Sequence, residues 1–449
     1  MKIIIIGGEA AGMSAAAKAL RVDRDAEIVV YEASKIISFG ACGLPYYVGD
    51  EFDDAQRMTE FTPEDFAKRG ITVKTQHRVV ALDATNKTVT VEDGRGQRFT
   101  DPYDRMMIAT GASAATPAWP GRELAGVHTL RVLDDGVRLK SAIKDAKRAV
   151  VVGSGFIGLE IAEALVHQGL QVTLIERASR VIAEAFDAEI GEAIAAELSA
   201  HGVKLVTGEA VEAFEGTPGA TSRVGAVITQ RDRYAADLVV SAVGVRPNTD
   251  FLRASGISLL ENGAIITDEY GRTSLPDVYA AGDCASVIHR LTGKPFYSPL
   301  ATVANKLGRM IGENIASASG TLSEFPGMLG SAAVRVFGVE AGRVGLSVDE
   351  AIAAGFATQS VVIDDQCHTS YVAGQSPLRI KLVYESGSCR LLGGQIVGRK
   401  GAVHRVDALA VAISAGLTTR DLGWIDFAYA PPFSRTWDAL NVAGNVAKS

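Results

Sequence analysis

Four consecutive isoleucines, Ile3 to Ile6, follow Lys2 and stop at Gly7-Gly8. A short, continuous apolar run bounded by glycine reads as a strand buried on both faces. The pattern then changes to helical spacing in an alanine-rich stretch ending at Leu20, and a second apolar run, Ile28-Val29-Val30-Tyr31, ends in Glu32. The same grammar returns later in the chain. Ala149 to Val152 precede Gly153-Ser154-Gly155-Phe156-Ile157-Gly158, a helical run covers Leu159 to His167, and Val172-Thr173-Leu174-Ile175 ends in Glu176. Strand, glycine turn, helix, strand and acid thus occur twice in order. Glycines let the backbone approach a pyrophosphate seated on a helix N-terminus, and the acid accepts hydrogen bonds from ribose hydroxyls. Two separate nucleotide sites are predicted.

The first motif departs from the pattern because Glu9 takes the place of the middle glycine. A carboxylate facing a diphosphate is costly, so Glu9 is expected to point away, leaving the contact to Gly7 and Gly12. The second motif keeps all three glycines. Glu176 favours a free 2′-hydroxyl and hence NADH, while Arg177 and Arg180 could pair with the 2′-phosphate of NADPH. Three further apolar segments end in turns: Met107 to Gly111, Ser241 to Asn248, and Asp277 to Asp283. The last delivers Asp283 to a position where it can accept a hydrogen bond from a polyol.

With 449 residues, 47% hydrophobic and 22% charged, the chain can bury the cores of two or three domains. Its formal net charge of -7 argues against a general nucleic-acid binder. Four cysteines provide no disulfide framework and suit a reducing cytoplasm. Glu9, Lys18 and Arg21 interrupt the N-terminal apolar run too early for a secretory leader, so none is expected. No apolar run reaches the roughly 20 residues of a membrane span. The histidines have no metal-ligand spacing and no Cys-x-x-Cys pair occurs, so no metal is expected.

Candidate redox chemistry centres on Cys42, in Ile36-Ile37-Ser38-Phe39-Gly40-Ala41-Cys42-Gly43-Leu44-Pro45-Tyr46-Tyr47. Cys284, Cys367 and Cys389 are all remote in sequence, so Cys42 is expected to work with a sulfur from the substrate or with an oxygen. A basic helix face completes the residue-level picture: Lys18, Arg21 and Arg24 share helical spacing with Ser14, and Arg69 is a weaker candidate of the same kind.

Taken together, these motifs resemble the two-dinucleotide flavoprotein disulfide reductases over nearly the whole chain. Gly7 to Ala16, the single cysteine before Leu44-Pro45-Tyr46, His368-Thr369-Ser370-Tyr371, and Ala428-Tyr429-Ala430-Pro431-Pro432-Phe433-Ser434 are most similar to the coenzyme A-disulfide reductase branch of the FAD/NAD(P)-dependent pyridine nucleotide-disulfide oxidoreductase family. The resemblance implies an α/β protein with two Rossmann-like dinucleotide-binding domains plus a C-terminal α+β dimerisation domain. The first FAD segment is expected at 1–112 and the second at 244–322, with an NAD(P)H domain at 113–243. A change of composition near Phe325-Pro326-Gly327 starts the C-terminal domain, 325–449.

The same resemblance implies FAD and NADH or NADPH as cofactors and coenzyme A as substrate or mixed disulfide. Cofactor-binding positions are expected at Gly7, Gly8, Ala11, Gly12, Glu32, Val80, Thr110, Gly111, Gly153, Gly155, Gly158, Glu160, Glu176, Gly244, Asp283 and Ala301. Ser14, Lys18, Arg21, Ser38 and Arg69 are the substrate candidates. Cys42 is the expected catalytic thiol, with Tyr371 and Tyr429 of the partner subunit of a homodimer as proton donors. NADH peroxidases and related oxidases carry a histidine in the first turn, where this chain has Ala10, and losing such an acid/base group costs about 100-fold to 10,000-fold. No rhodanese-like domain is expected, which weakens a dedicated persulfide function. CoA persulfide, polysulfide or oxygen as acceptor, and a redox-sensing FAD/NAD-binding protein, remain the alternatives.

Overall fold

A computed structural model describes residues 1–217, 220–318 and 320–447; residues 218–219, 319 and 448–449, which fall inside the expected domains, lie outside the described residues. The chain forms two compact units, one of residues 1–43, 54–114 and 245–328, the other of 44–53, 115–244 and 329–449.

In the first unit the isoleucine run becomes the centre of a five-stranded sheet ordered Val278–Ala280, Arg105–Ile108, Lys2–Ile6, Glu27–Tyr31, Ile71–Lys74. Every pairing is parallel, which explains why the strands read as continuous apolar runs. Ile3 and Ile5 enter the core on one face, with helices Ala10–Val22 and Ala301–Ala316. Ile4 and Ile6 enter the other core, beside an antiparallel sheet of Arg78–Asp83, Thr88–Glu92 and Arg98–Pro102. The two helices meet backbone to backbone, because a Cβ at Gly308 would lie 2.4 Å from the Ala11 carbonyl oxygen, and one at Gly312 would lie 2.4 Å from that of Ala15.

The second unit contains a parallel sheet ordered Lys204–Thr207, Gln171–Glu176, Arg148–Val152, Leu238–Ser241, Val127–His128. It also contains an antiparallel sheet ordered Ala332–Val336, Val339–Gly345, Leu391–Gly398, Pro377–Glu385, Thr358–Gln366, with helix Ala402–Ser414 packed on it through Val406 and Leu409. Lys381, buried on strand Pro377–Glu385, reaches both carboxylate oxygens of Glu189, on helix Ala188–Ala200, at 3.0 and 2.9 Å. Residues 44–53 belong here rather than with the strands that precede them. Leu44, Pro45, Tyr47 and Val48 bury their side chains, and Lys140 Nζ donates to the Tyr47 carbonyl at 2.8 Å. Nothing in the sequence beside Cys42 marks this change of unit.

Candidate active site

The two glycine turns prove to be the same object built twice. Gly7 and Gly153 both take positive φ, 112° and 96°. Each donates its N–H at 2.8 Å to the neighbouring strand, Gly7 to Tyr31 and Gly153 to Ile175. A Cβ at Gly12 would stand 2.0 Å from the Gly7 oxygen, and one at Gly158 would stand 2.0 Å from the Gly153 oxygen. The acids match too. Glu32 accepts from Gly8 N and Ser34 N, both at 2.7 Å; Glu176 accepts from Ser154 N at 2.9 Å and Ala178 N at 2.8 Å. Ser154 Oγ adds a bond to Glu176 at 2.6 Å. A carboxylate oxygen carries more than one acceptor site, so both acids can also take a ribose hydroxyl.

These turns fit dinucleotides on their own geometry. A Cβ at Gly155, Gly111 or Gly244 would meet nothing within 4 Å, so the backbone at these positions borders open space. Thr110 and Gly111 are held by Asn248, whose amide donates to the Thr110 carbonyl at 2.9 Å while Thr110 Oγ1 donates to the Asn248 carbonyl at 2.8 Å. Val80 is the extra residue of a bulge between the Val79↔Val91 and Ala81↔Thr90 pairs, a place where a strand can redirect a side chain. Asp283 is half-buried and its carbonyl accepts from Tyr297 Oη at 3.0 Å. Ala301, exposed, opens the helix Ala301–Ala316. Of the arginines near Glu176, Arg180 donates to the Phe186 and Ala183 carbonyls of its own turn, whereas Arg177 is exposed and 3.4 Å from Glu184.

Glu160 sits in a small cleft with Pro45, Tyr46, Gly49, Glu51 and Glu163. Tyr46 Oη donates to it at 3.1 Å, and burial pushes its carboxyl up to about 7 despite that bond. Burial, with the Glu160 charge, pushes the Tyr46 phenol up to about 12. In the sequence Tyr46 only completes the motif that follows Cys42; the fold brings it to Glu160.

Cys42 is exposed in a one-turn helix, Ala41–Gly43, closed by Gly43 N donating to the Gly40 carbonyl at 2.9 Å. Ser38, in the strap before it, takes a left-handed φ of 51°. Cys284 and Cys367 are buried, and burial pushes the Cys284 thiol up. Among the substrate candidates, Ser14, Lys18 and Arg21 do share helix Ala10–Val22, but Arg24 lies beyond its C-cap, Asp23. Ser14 Oγ donates to Asn305 at 2.8 Å, Lys18 pairs with Glu313 at 3.0 Å, and Arg21 Nε donates to Ala17 at 2.9 Å. Arg69 stands 4.8 Å over the Phe61 ring, and Phe61 packs with Phe66 and Leu20 against one core.

Tyr371 and Tyr429, 58 residues apart in sequence, come together in the second unit with hydroxyls 3.4 Å apart. Two loops are tied to make this contact: Thr369 Oγ1 donates to the Pro431 carbonyl at 3.0 Å, and Gln375 Nε2 donates to the His368 carbonyl at 2.7 Å. His368 Nε2 bonds Val372 O at 3.2 Å. Both tyrosines reach solvent, Tyr371 at 74% and Tyr429 at 44% exposure. The hydrogen bond to Tyr371 raises the Tyr429 phenol above its ordinary value, so it stays protonated at neutral pH.

Residues 1–307 match the pyridine nucleotide-disulphide oxidoreductase family, and residues 331–440 match the dimerisation domain of that name. A protein of Pyrococcus abyssi named NAD(P)H sulfur oxidoreductase (CoA-dependent) is 37% identical, over 99% of this chain and 98% of its own. Coenzyme A disulfide reductase of Staphylococcus aureus is 33% identical over the full length of both. The structure of a water-forming NADH oxidase from Lactobacillus brevis, bound to NADH, superposes with a TM-score of 0.94 at 33% identity, covering 99% of this chain and 98% of that one. Among the described residues, no helix is long and apolar enough to cross a membrane.

Proposed function

Since this chain belongs to the pyridine nucleotide-disulphide oxidoreductase family, we propose that it is a flavoprotein reductase carrying two electrons from NADH or NADPH through FAD to Cys42, where coenzyme A disulfide is reduced. The observation that carries this reading is the exposed thiol of Cys42 in the first unit, where Cys284 is buried, while in the second unit Cys367 is buried and Cys389 is partly so. Such a thiol takes its partner sulfur from the substrate.

Gly7, Gly8, Ala11, Gly12, Glu32, Val80, Thr110, Gly111, Asp283 and Ala301 would hold FAD, and Gly153, Gly155, Gly158, Glu160, Glu176 and Gly244 would hold the nicotinamide nucleotide. FAD, when bound, supplies the relay of two electrons from nicotinamide to sulfur. The Cys42 thiolate attacks one sulfur of CoA disulfide, the S–S bond breaks, and one CoA leaves as thiolate while Cys42 keeps the other as a mixed disulfide. Two electrons then restore the Cys42 thiolate and release the second CoA. The departing sulfurs need protons, and the Tyr371–Tyr429 pair of the partner subunit would supply them, a role supported by their paired, exposed hydroxyls. Ser14, Lys18, Arg21, Ser38 and Arg69 would receive the CoA phosphates and base.

In domain terms, residues 1–112 and 244–322 would form the FAD domain, apart from 44–53, which fold with the second unit, 113–243 the NAD(P)H domain and 325–449 the dimerisation domain of a cytoplasmic homodimer. Support for the dimer comes from the matched dimerisation family and from the exposure of Tyr371 and Phe433, at 74% and 76%. CoA persulfide or polysulfide is the second reading, favoured by the Pyrococcus relative's name, because the same thiolate attacks either sulfur. Oxygen is disfavoured by Ala10, which offers no acid/base group beside the first glycine turn. Anaerobic and aerobic NADH oxidation with CoA disulfide, CoA persulfide, polysulfide, glutathione disulfide or oxygen tests the proposal: CoA disulfide should give the highest kcat/KM, and oxygen consumption equal to NADH consumption would overturn it.

A further inference from the structure

The misfit of Glu9 in the first glycine turn has a partner. Glu9 is the N-cap of helix Ala10–Val22, yet its side chain makes no cap bond. Its Oε2 instead accepts the backbone N–H of Phe39 at 2.8 Å. The strap thereby gripped is the one leading to Cys42: Ser38 N donates to the Gly8 carbonyl at 2.9 Å, Phe39 bridges Thr59, and Gly40 N donates to the Met58 carbonyl at 2.7 Å.

The internal repeat supplies the control. Six residues after the acid of each unit the backbone turns left-handed, at Ser38 with φ 51° and at Ile182 with φ 48°. Non-glycine residues keep that conformation only where neighbouring bonds hold them. In the second unit the hold is Ser154 Oγ, which accepts from Ile182 N at 3.0 Å, and the position matching Glu9 is Gly155, bordering open space. In the first unit Gly8 has no side chain to offer, and a carboxylate one residue later grips the strap one residue later.

We infer that Glu9 is a positioning residue for Cys42, its carboxylate fixing the Phe39 amide so that the strap presents the thiol in one place. This assignment rests on reading Cys42 as the redox thiol. A negative charge at a dinucleotide turn is tolerated because it is spent on this backbone donor.

Glu9→Ala and Glu9→Gln, made in the FAD-loaded enzyme, test it, with Glu9→Gly as a further variant that copies the second unit's turn. Removing a charged acceptor should speed hydrogen exchange of the Phe39 amide roughly 10- to 100-fold in Glu9→Ala and Glu9→Gly. Turnover of CoA disulfide should fall about 10-fold in both, with flavin reduction by NADH within about twofold, because only the sulfur step depends on the strap. Glu9→Gln keeps an acceptor oxygen and should stay within about threefold throughout. Unchanged Phe39 exchange in Glu9→Ala and Glu9→Gly would overturn the inference. So would Glu9→Gln falling as far as Glu9→Ala, or flavin reduction falling in step with turnover. Failure of the functional reading looks different: Phe39 exchange would still rise, while Cys42→Ser would keep disulfide turnover.

Discussion

Replacing Glu160 by glutamine should stabilise the protein at pH 8 and leave it almost unchanged near pH 4. The carboxyl is raised from 4.5 to about 7, first by burial, then by the charge of Glu163, against the lowering bond from Tyr46 and the charge of Arg335. A carboxyl raised on folding means that the folded state binds the extra proton between those two values, so stability falls as pH climbs through that window. At about 1.4 kcal/mol per pH unit, the displacement from 4.5 to about 7 amounts to roughly 3 kcal/mol of lost stability above pH 7. Glutamine cannot ionise and keeps an oxygen for the Tyr46 hydroxyl, so it escapes the loss. Thermal unfolding from pH 4 to 8.5, followed by circular dichroism, should show the two proteins together at the acid end and the variant several degrees higher at pH 8. A difference that stays flat across pH, or a variant less stable at pH 8, would refute the buried-carboxyl account. The same variant should lose any inflection near pH 7 in NADH-driven flavin reduction.

Tyr429→Phe should lower turnover by roughly 100-fold with little change in melting temperature, since it deletes a proton donor from a side chain 44% exposed. If the tyrosine serves the partner's site, verified heterodimers of Tyr429→Phe and Cys42→Ser subunits should regain activity that neither parent has; verified heterodimers without activity would refute a shared site. Glu176→Ala should narrow the preference for NADH over NADPH and also raise KM for both, because the carboxylate holds Ser154 N, Ser154 Oγ and Ala178 N besides the ribose hydroxyl it is proposed to accept. A native preference for NADPH would refute that reading and shift specificity to exposed Arg177.

The parts of the site that sequence made legible are those fixed by local backbone demands. Gly7, Gly12, Gly153 and Gly158 announce themselves because a side chain there would strike backbone. The fully buried parallel strands are equally visible as unbroken apolar runs. Strands Ala332–Val336 and Val339–Gly345 went unread because Arg335, Glu340, Arg343 and two glycines interrupt any apolar period. The pairing of Tyr371 with Tyr429 required resemblance, since no periodicity links residues 58 apart. Tyr46 with Glu160, Asn248 with Thr110, and Glu9 with Phe39 are contacts between residues 114, 138 and 30 positions apart, invisible to spacing. Arg24 shows the opposite error, a helical face extended past the residue where the helix stops.

The proposed reaction turns on the capture of substrate sulfur by Cys42. Mass spectrometry of the enzyme, reduced anaerobically with one equivalent of NADH, exposed to CoA disulfide and quenched in acid, tests it most directly. One CoA joined by a disulfide to the Cys42 peptide is expected, with none on Cys284, Cys367 or Cys389, and no adduct or turnover in Cys42→Ser. Full disulfide turnover in Cys42→Ser, or a CoA adduct confined to another cysteine, would contradict it.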